Sequence, residues 1–147
     1  MTLIAEIEES LREAMRERDQ VRTGTLRLTL AALRSAEKEL GRPLKEDEEL
    51  QVLQRERKRR GEAAEAFRAA GREERAAQEE EELEVIEEFM PEPLGEEELE
   101  RIVDDAIAET GATSLRDLGR VMADVMPQVS GRADGGAVSQ LVREKLA

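Results

Sequence analysis

FMPEPLGEEEL, residues 89–99, decides how this chain is built. Pro91 and Pro93 each remove a backbone N–H and fix φ, and each pushes the residue before it away from helical backbone, so no helix runs through them. One helical run ends here, and Leu94 and Gly95 precede another. On both sides, apolar residues recur at the 3–4 spacing of helices, and strands are not expected anywhere. The chain is therefore expected to be all-α, with an N-terminal domain of about four helices over residues 1–90 and a small three-helix tail domain over 91–147.

Upstream of the break, Leu3, Ile4, Ile7, Leu11, Ala14 and Met15 form the single stripe of an amphipathic first helix. A second is expected from near Asp19 to Leu40, with Leu26, Leu30 and Leu33 on one side, closing at Gly41 and Pro43. Gly24 within it implies either close approach of a neighbouring helix or a later start, since Gly costs about 1 kcal/mol relative to Ala in a helix interior. Asp47 is the expected cap of a third helix, whose middle, QRERKRRGE at 54–62, is polar all round. That middle reads as a solvent-exposed bridge. A sharper alternative makes Arg55, Arg57, Lys58, Arg59 and Arg60 a patch for an anionic partner, with Arg57, Lys58 and Arg60 as its candidates. Gly71 interrupts the pattern, and a fourth helix carries Ala76, Leu83, Ile86 and Phe89; its acidic run EEEELE, 79–84, reads as a solvated face rather than a metal site.

The tail divides into three stripes: Leu99 to Ile107, Leu115 to Met126, and Val138 to Leu146. Gly111 suits a C-terminal cap, Ser114 with Asp117 a capping box, Pro127 the end of the middle helix, and Asp134 the cap of the last.

Composition narrows function. The chain has no Cys, His, Trp or Tyr, which removes disulfides, thiolate and imidazole metal ligands and the common nucleophile–base pairs. No catalytic residue, metal or cofactor is expected. No apolar run reaches the ~20 residues of a membrane span, so neither membrane insertion nor a location other than the cytoplasm is expected. A net charge of -13 opposes a simple nucleic-acid binder. However, residues 111–147 hold 5 basic and 4 acidic side chains, so the whole acidic excess lies ahead of them.

The segment GRVMADVMPQVSGRADGGAVSQLV, 119–142, resembles the tail module of the GatB/YqeY family, as do AGRE at 70–73, ELEVIEEFMPEPL at 82–94 and IAETGATSLRDLG at 107–119. The blocks match in order and spacing across most of the chain, and its free-standing members match best. The resemblance implies an all-α body followed by a three-helix tail. It also implies a link to the B subunit of the glutamine-dependent Asp-tRNA/Glu-tRNA amidotransferase, where the same region is fused and its tail engages tRNA. The family is described by carbon–nitrogen ligase activity with glutamine as amide donor. This chain has no GxxxxGK[ST] loop or GxGxxG element to cradle ATP, so it resembles the recognition end of that enzyme and not its catalytic body.

Expected partners are thus tRNA through the tail, and an amidotransferase or another protein; no DNA is expected. Carried over by the resemblance, Arg120 and Arg132 match the two basic positions of the motif, and Gly131, Gly135 and Gly136 would keep the backbone approachable near a helix N-terminus. Equally, the glycines suit turns and caps, and Arg132 an ion pair with Asp134. Two departures are Ala123 and Gln128, where relatives often carry Gly and Lys; the lost Lys is one phosphate contact fewer. A helical protein-interaction module without RNA binding is the alternative.

Overall fold

The computed structural model describes residues 1–147 and contains no strand. Its helices are α1 (Leu3–Arg16), α2 (Gln20–Leu40), α3 (Glu46–Ala69), α4 (Glu73–Glu87), α5 (Glu96–Thr110), α6 (Leu118–Val129) and α7 (Gly135–Leu146), with a 3-10 turn at Leu115–Asp117 before α6. Two compact units result, Met1–Pro91 and Glu92–Ala147.

In the first unit, α1 and α2 form one helical pair and α3 and α4 another. Thr2 caps α1 by accepting from Ala5 N at 3.1 Å, and Asp19 caps α2 by accepting from Arg22 N at 3.1 Å. Gly41, with φ +69°, closes α2 in the left-handed conformation open to Gly. Ile4, Ile7, Leu26, Leu33, Val52, Leu53 and Ile86 make the core. Two threonines on α2, Thr25 and Thr29, are buried among them, and each hydroxyl donates to the carbonyl four residues back at 2.8 Å, so neither is left unsatisfied.

Three sequence expectations are corrected here. Asp47 does not cap α3: the helix begins at Glu46, and Lys45 N donates to the Glu48 carboxylate at 2.9 Å in the cap position. Gly24 needs neither of its proposed reasons, because α2 starts at Gln20 and a Cβ at Gly24 would meet nothing within 4 Å. The third concerns the polar middle of α3, which faces α4 across an antiparallel hairpin. Ala64 and Ala76 are buried, their small side chains suiting close approach of the two helices. Arg60 is also buried, its guanidinium bonded to Glu82 and 3.6 Å from Glu79. Farther along, Arg68 pairs with Glu73 at 2.9 Å and Glu80 at 2.6 Å. Most of the acidic run 79–82 is therefore the partner of α3 arginines, not simply a solvated face.

The second unit packs α5, α6 and α7 around Val103, Ala106, Val121, Val125, Val129, Val138, Val142 and Leu146. Gly111, with φ +67°, ends α5. Ser114 Oγ accepts from Arg116 N at 3.3 Å, and the Asp117 carboxylate returns to accept Thr113 N at 2.9 Å and Ser114 N at 3.2 Å, forming the expected capping box. Pro127 does not end α6, which continues to Val129. The last turn survives because Ser130 N and Ser130 Oγ both bond the Met126 carbonyl, at 3.0 and 2.8 Å.

Candidate functional site

The tail candidates fall at the two ends of α6. Ser130, Gly131, Arg132, Ala133 and Asp134 form the turn into α7. Gly131 is buried with φ +75°, a left-handed conformation that costs a side-chain-bearing residue roughly 1–2 kcal/mol. Asp134 caps α7 by accepting from Ala137 N at 3.3 Å, as expected from sequence. Its carboxylate already occupies the positive end of the helix dipole, so an incoming anion would meet it there. Gly136 is exposed and Gly135 half-buried, with room for a methyl group: the nearest atom to an added Cβ is Met126 Cε at 3.6 Å.

Arg132 latches this turn to the entry of the second unit. Its Nε donates to the Glu92 carbonyl at 3.0 Å, its own carbonyl accepts from Leu94 N at 2.9 Å, and Glu98 lies 3.9 Å from its Nη2. The side chain keeps partial exposure, and its terminal N–H groups retain donor capacity.

Arg120 lies in the first turn of α6, where Nη1 donates to the Thr110 carbonyl at the end of α5 at 3.0 Å and Nη2 to Asp117 at 2.7 Å. It thereby satisfies a C-terminal carbonyl and ties α5 to α6. Asp117 is held below the usual carboxylate range, first by the Thr113 amide and then by Arg120 and the Ser114 amide. The Arg120 side chain is still 60% exposed. Eleven residues separate Arg120 from Gly131, roughly 16 Å along the helix axis. The structure thus brings Arg132 together with the three glycines and sets Arg120 apart. Gln128, exposed on α6, folds back to donate to the Asp124 carbonyl at 2.9 Å.

Of the three α3 candidates, Lys58 is exposed and Arg57 half-buried, while Arg60 is removed by its burial against Glu79 and Glu82. A shallow groove between α2 and α3 lies beside them. Two adjoining hollows of about 330 Å³ each share Ala32, Glu56 and Arg59, and Leu28, 60% exposed, stands at the rim.

Two features are not legible from spacing alone. At the α3–α4 turn, the guanidinium carbons of Arg72 and Arg75 lie 5.6 and 5.0 Å from the centroid of the Phe67 ring; the AGRE block carries one of these arginines, but nothing in the spacing places the ring beneath it. On the opposite side of the first unit, the buried carboxylate of Glu49 reaches the N-terminus of α1.

Comparison with known proteins adds the following. The family model described as "Yqey-like protein" matches residues 4–146. The chain is 30% identical over 146 residues to "Altered inheritance of mitochondria protein 41, mitochondrial" of Pyrenophora tritici-repentis, covering 97% of this chain and 80% of that protein. It is also 40% identical over 57 residues to a glutamyl-tRNA(Gln) amidotransferase subunit of Thermococcus gammatolerans, a match of 36% of this chain and 9% of that protein. No helix is long and apolar enough to cross a membrane.

Proposed function

The chain belongs to the Yqey-like protein family, and from that premise we propose that it is a tRNA-associated accessory of the amidotransferase type, whose second unit contacts the RNA backbone. The supporting observation is the segment shared with an amidotransferase subunit whose name carries its tRNA. The chemistry fits a modest phosphate contact. Arg120 and Arg132 each present guanidinium N–H groups left over from their internal bonds, and Gly131, Gly135 and Gly136 add little side-chain bulk beside Arg132. Because the two arginines sit at opposite ends of α6, they act as two separate contacts rather than one cradle. Without an aromatic ring in the second unit, recognition runs through shape and backbone charge and not base stacking.

Under this reading the chain carries no chemistry of its own, works in the cytoplasm, and assists an enzyme that supplies ATP and glutamine handling. The test is recovery of RNA on the tagged full chain from a native extract, with and without ribonuclease. Enrichment of tRNA over total RNA supports the proposal, and recovery of no RNA overturns it.

A second reading, a helical protein-interaction module, draws on the α2–α3 groove. Leu28 exposes apolar surface there beside Arg59, with Arg57 and Lys58 on the same helix. A protein that co-purifies after ribonuclease treatment and is lost on Leu28→Asp supports it. Unchanged recovery with Leu28→Asp counts against it.

A further inference from the structure

We infer that the α3–α4 turn is a second anion-binding surface, a cationic tip that engages a phosphate backbone through Arg72 and Arg75. The identity of the partner as RNA rests on the reading above. The tip itself rests on an independent observation: two guanidinium groups share one aromatic ring.

Phe67 is half-buried near the end of α3, and Gly71, with φ +76°, reverses the chain so that the start of α4 returns over it. With guanidinium carbons 5.6 and 5.0 Å from one centroid, the two cations are at most 10.6 Å apart, the sum of those distances. That is about one Debye length at 0.1 M ionic strength, so their mutual repulsion grows as salt falls below that. Neither is in an ion pair. Glu73, the acid beside them, is taken by Arg68, whose other partner is Glu80. Within the turn itself, residues 70–75, Arg72 and Arg75 stand beside Glu73, which Arg68 holds, and Glu74.

Stacking on the ring restrains both side chains before any partner arrives, which lowers the rotamer entropy lost on binding and leaves the N–H edges available to an acceptor. An anion bridging the two relieves their repulsion. Ala69, Ala70 and Gly71 at the turn are exposed and small, so the tip is blunt and can approach a wide, shallow groove lined by phosphates. Planar guanidinium forks match phosphate oxygens bidentately, and the repeated phosphates of an RNA backbone, the partner of the reading above, can meet both arginines.

The experiment titrates fluorescent unfractionated tRNA with the full chain between about 50 and 200 mM salt. It compares wild type with Arg72→Gln/Arg75→Gln, Arg120→Gln/Arg132→Gln, and the charge-matched control Arg12→Gln/Arg16→Gln, whose arginines are exposed on α1. The tip variant is expected to lose one to two units of the log–log salt slope, at roughly 0.7–0.9 unit per phosphate contact, and about ten-fold in affinity at low salt, with the control near wild type. Wild-type binding with tip and control indistinguishable overturns the tip and leaves the tRNA reading standing. Loss with the tip variant but not with the tail variant supports the tip and overturns the tail contacts. No wild-type binding at low salt overturns both.

Discussion

Glu49, buried on α3, accepts the backbone N–H of Ile4 at 3.2 Å, so a carboxylate distant in sequence caps the first helix. Burial, the dominant influence, pushes its carboxyl above the ordinary range against the lowering effect of the Ile4 and Leu3 amides. A carboxyl with a raised folded-state pKa contributes most below its unfolded value, and the contribution fades as pH rises through the folded one. Glu49→Gln keeps an acceptor without the charge. It is therefore expected to hold or raise Tm at neutral pH and to flatten the fall in stability above about pH 4.5, near the ordinary carboxylate value. Glu49→Leu strands the buried Ile4 amide and should cost about 1–3 kcal/mol by urea denaturation.

Arg60 is predicted to be structural. Removing it leaves Glu79 and Glu82, neighbours on α4, without their shared partner in the α3–α4 seam, and breaking a largely buried pair costs about 3 kcal/mol. Arg60→Ala should lower Tm clearly while RNA and protein recovery per folded molecule stay unchanged. A variant of normal stability that loses a partner would restore Arg60 to the interaction surface.

In the second unit, Arg120 helps hold Asp117 ionised. Arg120→Gln is expected to raise the Asp117 pKa, though not fully to its ordinary value, because the Thr113 amide, the larger influence, remains. Asp117 has a depressed folded pKa, so its contribution is present above the unfolded pKa and is lost as pH falls through the folded one. An NMR titration of the Asp117 carboxyl, wild type against variant, measures this directly.

The two kinds of tail glycine should separate. Gly131→Ala forces a Cβ into left-handed backbone and should destabilise by roughly 1–2 kcal/mol. Gly135→Ala meets only Met126 Cε at van der Waals distance and should leave Tm unchanged or higher, since Ala is the better helix former. If Gly135→Ala also weakens tRNA binding without loss of stability, the backbone there is approached closely. If binding is unaffected, the glycine is a packing choice.

Local signals in the sequence are reliable where the physics is local. The helical periodicity, the start of α2 near Asp19, the Asp134 and Ser114–Asp117 caps and the glycines closing α2 and α5 all appear in the structure. The larger misreadings come from contact between distant stretches, whereas those at Asp47, Gly24 and Pro127 are local. A polar stretch such as 54–62 looks solvated until α4 supplies Glu79 and Glu82, and no local signal marks Glu49 as the residue that reaches α1. Pro127 reads as a stop when its missing N–H is weighed without the Ser130 bonds that hold the final turn. Arg120 and Arg132 are legible as motif positions, but their separation along α6 and their bonds to Thr110 and Glu92 require the fold.

The most direct measurement is the salt dependence of tRNA binding by the intact chain, wild type against Arg120→Gln/Arg132→Gln. Binding at low salt that weakens linearly on log–log axes, with a slope about 1–2 units shallower in the variant, is predicted. Identical slopes for wild type and variant, or no binding at low salt, would contradict the assignment of the second unit as an RNA contact.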